Sequence, residues 1–144
     1  MELVDVNLLI NAVHTASPDH WRARAWLDGK LQRREAIGLP WAVLVGFVRI
    51  TTNPRITNHP FTLDEALAQV REWLAPPGAA VLHPTGEHAR HFAEQCLAAS
   101  ATGNLVSDAH LAALAVEHGC ELASNDADYG KFPGLRWINP LRAD

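Results

Sequence analysis

The sequence predicts an α/β fold with a central, mainly parallel sheet of four to five short strands and helices on both faces. Short apolar runs of strand length alternate with longer segments whose apolar residues recur at helical spacing. Strands separated by helices in this order are typical of βαβ units. The chain has 144 residues, of which 48% are hydrophobic, so we expect residues 1–144 to form a single domain around one core.

The first half of the chain contains two predicted strands and four predicted helices. We expect strands at residues 3–6 and 36–39, and helices at 7–13, 18–33 and 41–51. Thr62 is expected to cap the fourth helix, because Glu65 lies three residues later and completes a capping box. The segment between the third and fourth helices is rich in Thr, Asn and Pro and is predicted to be a loop.

The second half continues the same alternation. We expect strands at residues 79–82, 120–123 and 135–138, helices at about 86–100 and 108–118, and a polar loop at 124–132. Gly119 directly follows the last helix and is a plausible C-terminal cap. Three strands in this half bring the predicted sheet to five.

Composition and charge exclude several classes of protein. The net charge of −4 argues against a strongly basic nucleic-acid binder. Cys96 and Cys120 are too far apart for a CxxC motif, so we expect both thiols to be reduced. The acidic N-terminal segment does not suit a signal peptide, and no apolar run is long enough to span a membrane. We therefore expect a cytoplasmic protein.

Three acidic residues from distant parts of the chain are predicted to meet. Asp5 lies at the end of the first predicted strand, Asp126 just past the fourth, and Asp108 at the start of a helix. Parallel sheets place their ligands outside the carboxyl ends of the strands. Carboxylates that cluster there repel each other and need a cation to stay ionised together. Mg²⁺ suits such an all-oxygen site, and Mn²⁺ is an alternative.

The surroundings of these acids lead to three further expectations. At a helix N-terminus, Asp108 would have its ionised form favoured by the helix dipole. His110 lies two residues after Asp108, so on a helix it is expected to point elsewhere. Asp128 is a tentative additional metal ligand, because an acid in such a loop is more commonly part of a turn.

These residues also carry a resemblance to a known family. The segments LVDVN at 3–7, SDAHLAALA at 107–115 and SNDADY at 124–129 occur in this order. Together they resemble PIN-domain ribonucleases, and look most like the VapC toxins of bacterial type II (VapBC) toxin–antitoxin systems. WAVLVGFVRITTNP at 41–54 and FPGLRW at 132–137 extend the resemblance over almost the whole chain.

The resemblance implies a fold, an activity and partners. It implies a PIN-like α/β/α sandwich and Mg²⁺-dependent cleavage of RNA phosphodiester bonds by metal-activated water. It further implies inhibition by a VapB-type antitoxin and a homodimer within the toxin–antitoxin complex. Asp5, Asp108 and Asp126 match the catalytic and metal-binding acids of the family. Asn7 and Ser124 match positions whose side chains help to hold those acids.

One position departs from the family pattern. The family usually carries a Glu in an E-x-x-R pattern on the helix after the second strand, and here that position is Gly46, followed by Arg49. Metal binding is therefore expected to be modest. The alternative function is a catalytically weak PIN-like module that binds RNA or protein.

Basic and aromatic residues complete the set of predicted contacts. Arg49, Arg55 and Lys131 are candidates for contacts with RNA phosphates, and a solvated surface or an ion pair is an equally good explanation for each. Trp21 and Trp26 on the second helix are candidates for a groove that binds the antitoxin.

Overall fold

A computed structural model describes residues 1–142 and has at its centre a five-stranded, entirely parallel sheet. The strands are β1 (Glu2–Val4), β2 (Ile37–Gly38), β3 (Ala79–Ala80), β4 (Glu121–Ala123) and β5 (Trp137–Ile138). Their order across the sheet is β3-β2-β1-β4-β5. The predicted α/β class and strand number are confirmed.

Six α-helices connect the strands in the described part of the chain. They are α1 (Val6–Val13), α2 (His20–Gln32), α3 (Trp41–Thr51), α4 (Leu63–Leu74), α5 (His88–Ala98) and α6 (Asn104–His118). A 3₁₀ helix, Ala127–Lys131, follows β4.

The order of the strands places a crevice at the end of β1. β1 pairs with β2 on one side and with β4 on the other, so the chain changes direction across the sheet at this strand. Leu3 lies opposite Gly38 and Leu122, and its side chain is completely buried. Ligands of parallel sheets bind at such a switch point, outside the carboxyl ends of the strands. Asp5, the first residue after β1, therefore lies where a ligand is expected.

Several helix ends form as the sequence predicts. Thr62 accepts a hydrogen bond from the backbone N–H of Glu65, and the Glu65 side chain accepts one from the backbone N–H of Thr62. This reciprocal pair is the predicted capping box at the start of α4. Gly119 ends α6 with φ of 67°, a left-handed conformation that glycine adopts without steric cost.

The predicted start of α6 was wrong by four residues. The helix begins at Asn104, directly after Gly103, and Asp108 is its fifth residue. Leu105 packs against the hydrophobic core, and this packing extends the helix towards its N-terminus. Asp108 consequently lies beyond the first turn, where the helix dipole has little effect.

Two aspartates begin helices at positions that the sequence did not predict. β1 ends at Val4, because Asp5 already caps α1. The predicted polar loop at 124–132 contains the 3₁₀ helix at Ala127–Lys131, which Asp126 caps by accepting a hydrogen bond from the backbone N–H of Asp128. Both differences arise from an aspartate whose side chain stabilises a helix start.

Two expectations from composition can be compared with the structure. Cys96 and Cys120 are both free thiols, as expected. Within residues 1–142, none of the helices combines the length and apolar character needed to cross a membrane.

Candidate active site

Asp5 is almost fully buried at the end of β1 and uses both carboxylate oxygens. The residue is only 5% exposed. Oδ1 accepts a hydrogen bond of 2.7 Å from the backbone N–H of Val6, which caps α1. Oδ2 accepts one of 2.7 Å from the Ser124 hydroxyl. Asp5 thus combines a helix cap with a fixed carboxylate, and each oxygen retains a second lone pair.

Ser124 connects three parts of the site through one oxygen atom. Its Oγ donates to Asp5 and accepts from Asn7 Nδ2 at 3.0 Å and from the backbone N–H of Asp126 at 3.0 Å. Asn7 therefore holds Asp5 through Ser124, not by direct contact. The Oδ1 atom of Asn7 is buried and has no hydrogen-bond partner within the described residues.

Tyr129 is a site residue that the sequence analysis missed. Its hydroxyl donates a hydrogen bond of 3.3 Å to Asp108 Oδ1, and the residue is only 1% exposed. Tyr129 belongs to the SNDADY segment, but nothing in the segment itself indicates that the ring turns inward. Its inward position depends on the 3₁₀ helix Ala127–Lys131, which the sequence did not predict.

The carboxylates form one acidic cluster. Asp108, Asp126 and Asp128 each offer an oxygen within 4.8 Å of the others. Asp128 therefore belongs to this group, although its side chain is 49% exposed and pairs with Lys131 at 2.9 Å. Asp5 is outside this group of three, but its charge interacts with those of Asp108 and Asp126.

The pKa values of the buried acids are shifted upward. Burial raises the pKa of Asp5, opposed by its hydrogen bonds with Ser124 and Val6. Burial, then the charges of Asp126 and Asp5, raise the pKa of Asp108 to about 6. The expectation that the helix dipole would stabilise ionised Asp108 is overridden by these effects. The acids repel each other as the sequence analysis expected.

An open cavity of about 430 Å³ lies next to the cluster. Asp5 and Asp108 line it, and so do Gly46 and Arg49 of α3. A Cβ atom at position 46 would lie 3.5 Å from Cγ2 of Val6, an ordinary contact, so a side chain has room there. Gly46, which stands where the family pattern has a Glu, therefore faces the site.

His110 lines the same cavity, and its ring contacts His88 and Phe92, not the acids. The lining of the cavity includes Asp108 and Leu111 of α6 and Phe92 of α5. Residues two positions apart on α6 can therefore both border it.

The predicted basic residues differ in their positions. Arg49 lines the cavity beside Asp5 and Asp108. Arg55 is exposed in the loop after α3, outside the cavity lining. Lys131 is occupied by its ion pair with Asp128. Of the three, Arg49 lines the cavity and Lys131 contacts the acidic cluster through Asp128.

The donor set fits a hard divalent cation. The available ligands are all carboxylate oxygens, which Mg²⁺ and Mn²⁺ prefer. Burial and the mutual repulsion of the acids raise the pKa values of Asp5 and Asp108, so a positive charge placed among them would favour their ionised forms. A cation held by Asp108, Asp126 and Asp128, with Asp5 nearby, would supply that charge.

Comparison with known proteins identifies the family of this site. The family model described as "PIN domain" matches residues 3–135. The chain belongs to the PIN-domain family. Within it, the chain is 42% identical over 140 residues to Ribonuclease VapC37 of Mycobacterium tuberculosis, covering 97% of each chain. It is 36% identical over 142 residues to Ribonuclease VapC33 of the same species, covering 99% of each.

Solved structures share the PIN fold. VapBC2 from Rickettsia felis, bound to a promoter DNA fragment, has a chain that matches with a TM-score of 0.69 at 12% identity, covering 96% of this protein and 97% of that chain. FitAcB from Neisseria gonorrhoeae matches with a TM-score of 0.70 at 20% identity, covering 99% and 100%. At these identities the similarity establishes the α/β/α PIN fold alone.

Proposed function

We propose that this PIN-domain protein is a metal-dependent ribonuclease and the toxin of a type II toxin–antitoxin system. The observation that carries the proposal is the cluster of Asp108, Asp126 and Asp128 beside an open cavity. Asp5 lines the same cavity, and its charge contributes to the raised pKa of Asp108. The relatives named as VapC ribonucleases, which match over nearly the full chain, support the choice of RNA as substrate.

The acidic residues would hold Mg²⁺ or Mn²⁺ at this position, with Asp128 as an additional ligand. When bound, such a cation lowers the pKa of a water molecule and neutralises charge on a phosphodiester. Ser124 keeps the Asp5 carboxylate in place, and Tyr129 does the same for Asp108. Arg49 borders the cavity and is suited to contact a phosphate group.

Gly46 favours a second candidate function. Because this position faces the cavity without a carboxylate, the site has one acid fewer than the usual family pattern. A site with weak metal affinity would make the protein a catalytically weak module that binds RNA or protein. Activity measurements separate the two functions.

The deciding experiment uses purified protein and total cellular RNA. We expect RNA cleavage with Mg²⁺ or Mn²⁺, loss of cleavage with EDTA, and a loss of about a hundredfold or more for Asp5→Asn and Asp108→Asn. Asp64→Asn on the exposed surface of α4 is the matched control and should cleave normally. Metal-independent cleavage, or full activity in both site variants, would contradict the proposal, whereas RNA binding without cleavage would support the second function.

The proposal extends to partners and location. A toxin must be kept inactive during growth, so we propose a VapB-type antitoxin as its partner, a homodimer within the complex, and the cytoplasm as its location. The solved neighbours include VapBC2 from Rickettsia felis, which supports an assembly of this kind.

A further inference from the structure

The active-site cavity has an apolar part that the proposed metal chemistry does not use. The charged residues of its lining are Asp5, Arg49 and Asp108. Phe92 of α5 and Val106 of α6 also border it, and Val106 is 36% exposed. Catalysis by a metal ion requires no apolar wall, and burying apolar surface under a ligand is favourable. The apolar wall is therefore available to a second group of the substrate.

Phe92 contributes a fixed aromatic ring to this wall. The residue is partly buried and packs against the hydrophobic core. Its ring stacks on that of His88 with centroids 6.0 Å apart and meets His110 edge to face at 6.5 Å. Glu117, whose side chain is 1% exposed, holds His88 in turn, with its Oε1 atom 2.8 Å from His88 Nδ1. A ring that is already held in place loses little conformational entropy when a ligand binds.

The ring of Phe92 and the acids line neighbouring parts of the cavity. His110, which contacts this ring, follows Asp108 by two residues on α6, a rise of about 3 Å along the helix axis. Asp5 and Arg49 line the same cavity. A nucleotide has a matching arrangement, because a single sugar separates its charged phosphate from the planar, apolar faces of its base.

The size and charge of the cavity favour a nucleotide over a protein side chain. Its volume of about 430 Å³ is in the range of pockets that bind small organic ligands. A cation at the acids favours an anionic group beside the aromatic ring. A protein partner would need an apolar side chain and a separate anionic one, whereas a nucleotide supplies both groups in one unit.

We infer that Phe92 stacks on a nucleobase next to the phosphate that the acidic site binds, and that it thereby selects an unpaired nucleotide. The inference rests on the proposed ribonuclease function. Stacking on an aromatic side chain requires a base whose face is free, and the faces of a base within a duplex are covered by its neighbours. Every base has such a face, so Phe92 would add affinity without choosing among the bases.

The test compares small probes with and without a base. We would titrate the full-length protein in Mg²⁺ with adenosine 5′-monophosphate, adenosine 3′-monophosphate and ribose 5-phosphate, and measure dissociation constants from NMR chemical shifts. The two nucleotides carry the phosphate on opposite sides of the sugar, and ribose 5-phosphate has no base. We expect at least one nucleotide to bind about tenfold more tightly than ribose 5-phosphate, the value of one stacked base.

Variants assign this difference to Phe92. Phe92→Leu keeps an apolar side chain but removes the planar ring, so it should reduce nucleotide affinity about fivefold and leave the affinity for ribose 5-phosphate unchanged. Phe92→Tyr keeps the ring and should bind all three probes as the unmodified protein does. Phe61→Leu is the matched control, because Phe61 is also partly buried against the core but does not line this cavity.

The outcomes separate the explanations. The inference is wrong if neither nucleotide binds more tightly than ribose 5-phosphate, or if the full difference remains in Phe92→Leu. An equal loss of affinity for all three probes would make Phe92 a structural residue only. Normal nucleotide binding with loss of the complex with the proposed antitoxin would assign the ring to the protein partner. Both of these results also overturn the inference.

A second measurement applies if Phe92→Leu does not fold, judged by circular dichroism. We expect nuclear Overhauser effects between the adenine protons and labelled phenylalanine rings of the unmodified protein, and their loss in Phe92→Tyr. Their absence in the unmodified protein would overturn the inference. RNA cleavage in Mg²⁺, measured separately, tests the ribonuclease function. A preference for nucleotides without cleavage would contradict that function and still support stacking on Phe92.

Discussion

At the scale of single residues, Gly46 is the position where a substitution is most informative. It lies inside α3, faces the acidic cavity and has room for a side chain. We predict that Gly46→Glu adds a carboxylate to the cluster and increases the affinity for Mn²⁺ about tenfold, measured by calorimetric titration.

Gly46→Gln is the matched control, since it has the same shape without the charge. Both substitutions replace a helical glycine and should stabilise α3 by about 0.5–1 kcal/mol. In EDTA the Glu variant should lose part of this gain, because its charge adds to the repulsion within the cluster. Equal Mn²⁺ affinities of the two variants would show that position 46 does not reach the metal site.

The raised pKa of Asp108 predicts that the stability of the protein depends on pH. Its pKa of about 6 in the folded protein is higher than the ordinary value of 3.8. The folded state therefore binds the proton more tightly, and stability falls as the pH rises from 3.8 to about 6. In EDTA near neutral pH, Asp108→Asn should raise the free energy of unfolding by about 1 kcal/mol, a value reduced for solvent screening.

The measurement is urea unfolding at several pH values. Below about pH 4 the gain should vanish, because the carboxyl is then protonated in both states. Asp28→Asn, at a surface ion pair with Arg24, is the control and should change stability little. A loss of stability in Asp108→Asn near neutral pH would contradict the assigned repulsion.

The sequence predicted the acids better than the residues that hold them. Strand ends and helix order indicated Asp5, Asp108 and Asp126, because these features are local. Tyr129 and His110 contact the site through tertiary packing, which periodicity does not reveal. Gly46 was found through the resemblance, and only the structure shows that it faces the cavity.

At the scale of elements, the capping box of α4 is a separable contribution to stability. Thr62 and Glu65 satisfy two backbone N–H groups that would otherwise lack partners. Thr62→Ala should lower the free energy of unfolding by about 1 kcal/mol, whereas Thr62→Ser should retain most of it. Neither substitution should change the cleavage rate, because α4 does not line the active-site cavity. A changed rate would connect α4 to the site.

Helix ends were predicted well where a capping residue marks them in the sequence. Thr62 and Gly119 mark helix ends through chemistry that is visible in the sequence. The start of α6 has no side-chain cap, since Gly103 precedes it, and the helix extends to Asn104 through packing of Leu105. The strands are only two or three residues long, so neighbouring apolar residues were included in them by the prediction.

At the scale of the whole molecule, the surface leaves large aromatic side chains open to solvent. Trp21 on α2 is 74% exposed and Trp41 on α3 is 51% exposed. Trp26, the other tryptophan expected in an antitoxin groove, instead packs against the core with Lys30 over its ring. Trp21 is therefore the better candidate for a contact with the proposed antitoxin, because exposed tryptophans commonly anchor protein interfaces.

Trp21 is expected to anchor the proposed antitoxin. Co-expression with the product of an adjacent short gene should give a stable complex, measured by size-exclusion chromatography with light scattering. Trp21→Ala should weaken the complex about tenfold or more, because a buried interface tryptophan contributes about 2 kcal/mol or more. Trp41→Ala serves as the matched control on another helix. Weakening by Trp41→Ala alone would place the partner on α3. Failure of any adjacent gene product to bind would contradict the toxin–antitoxin proposal. The ribonuclease activity would still be tested separately by RNA cleavage.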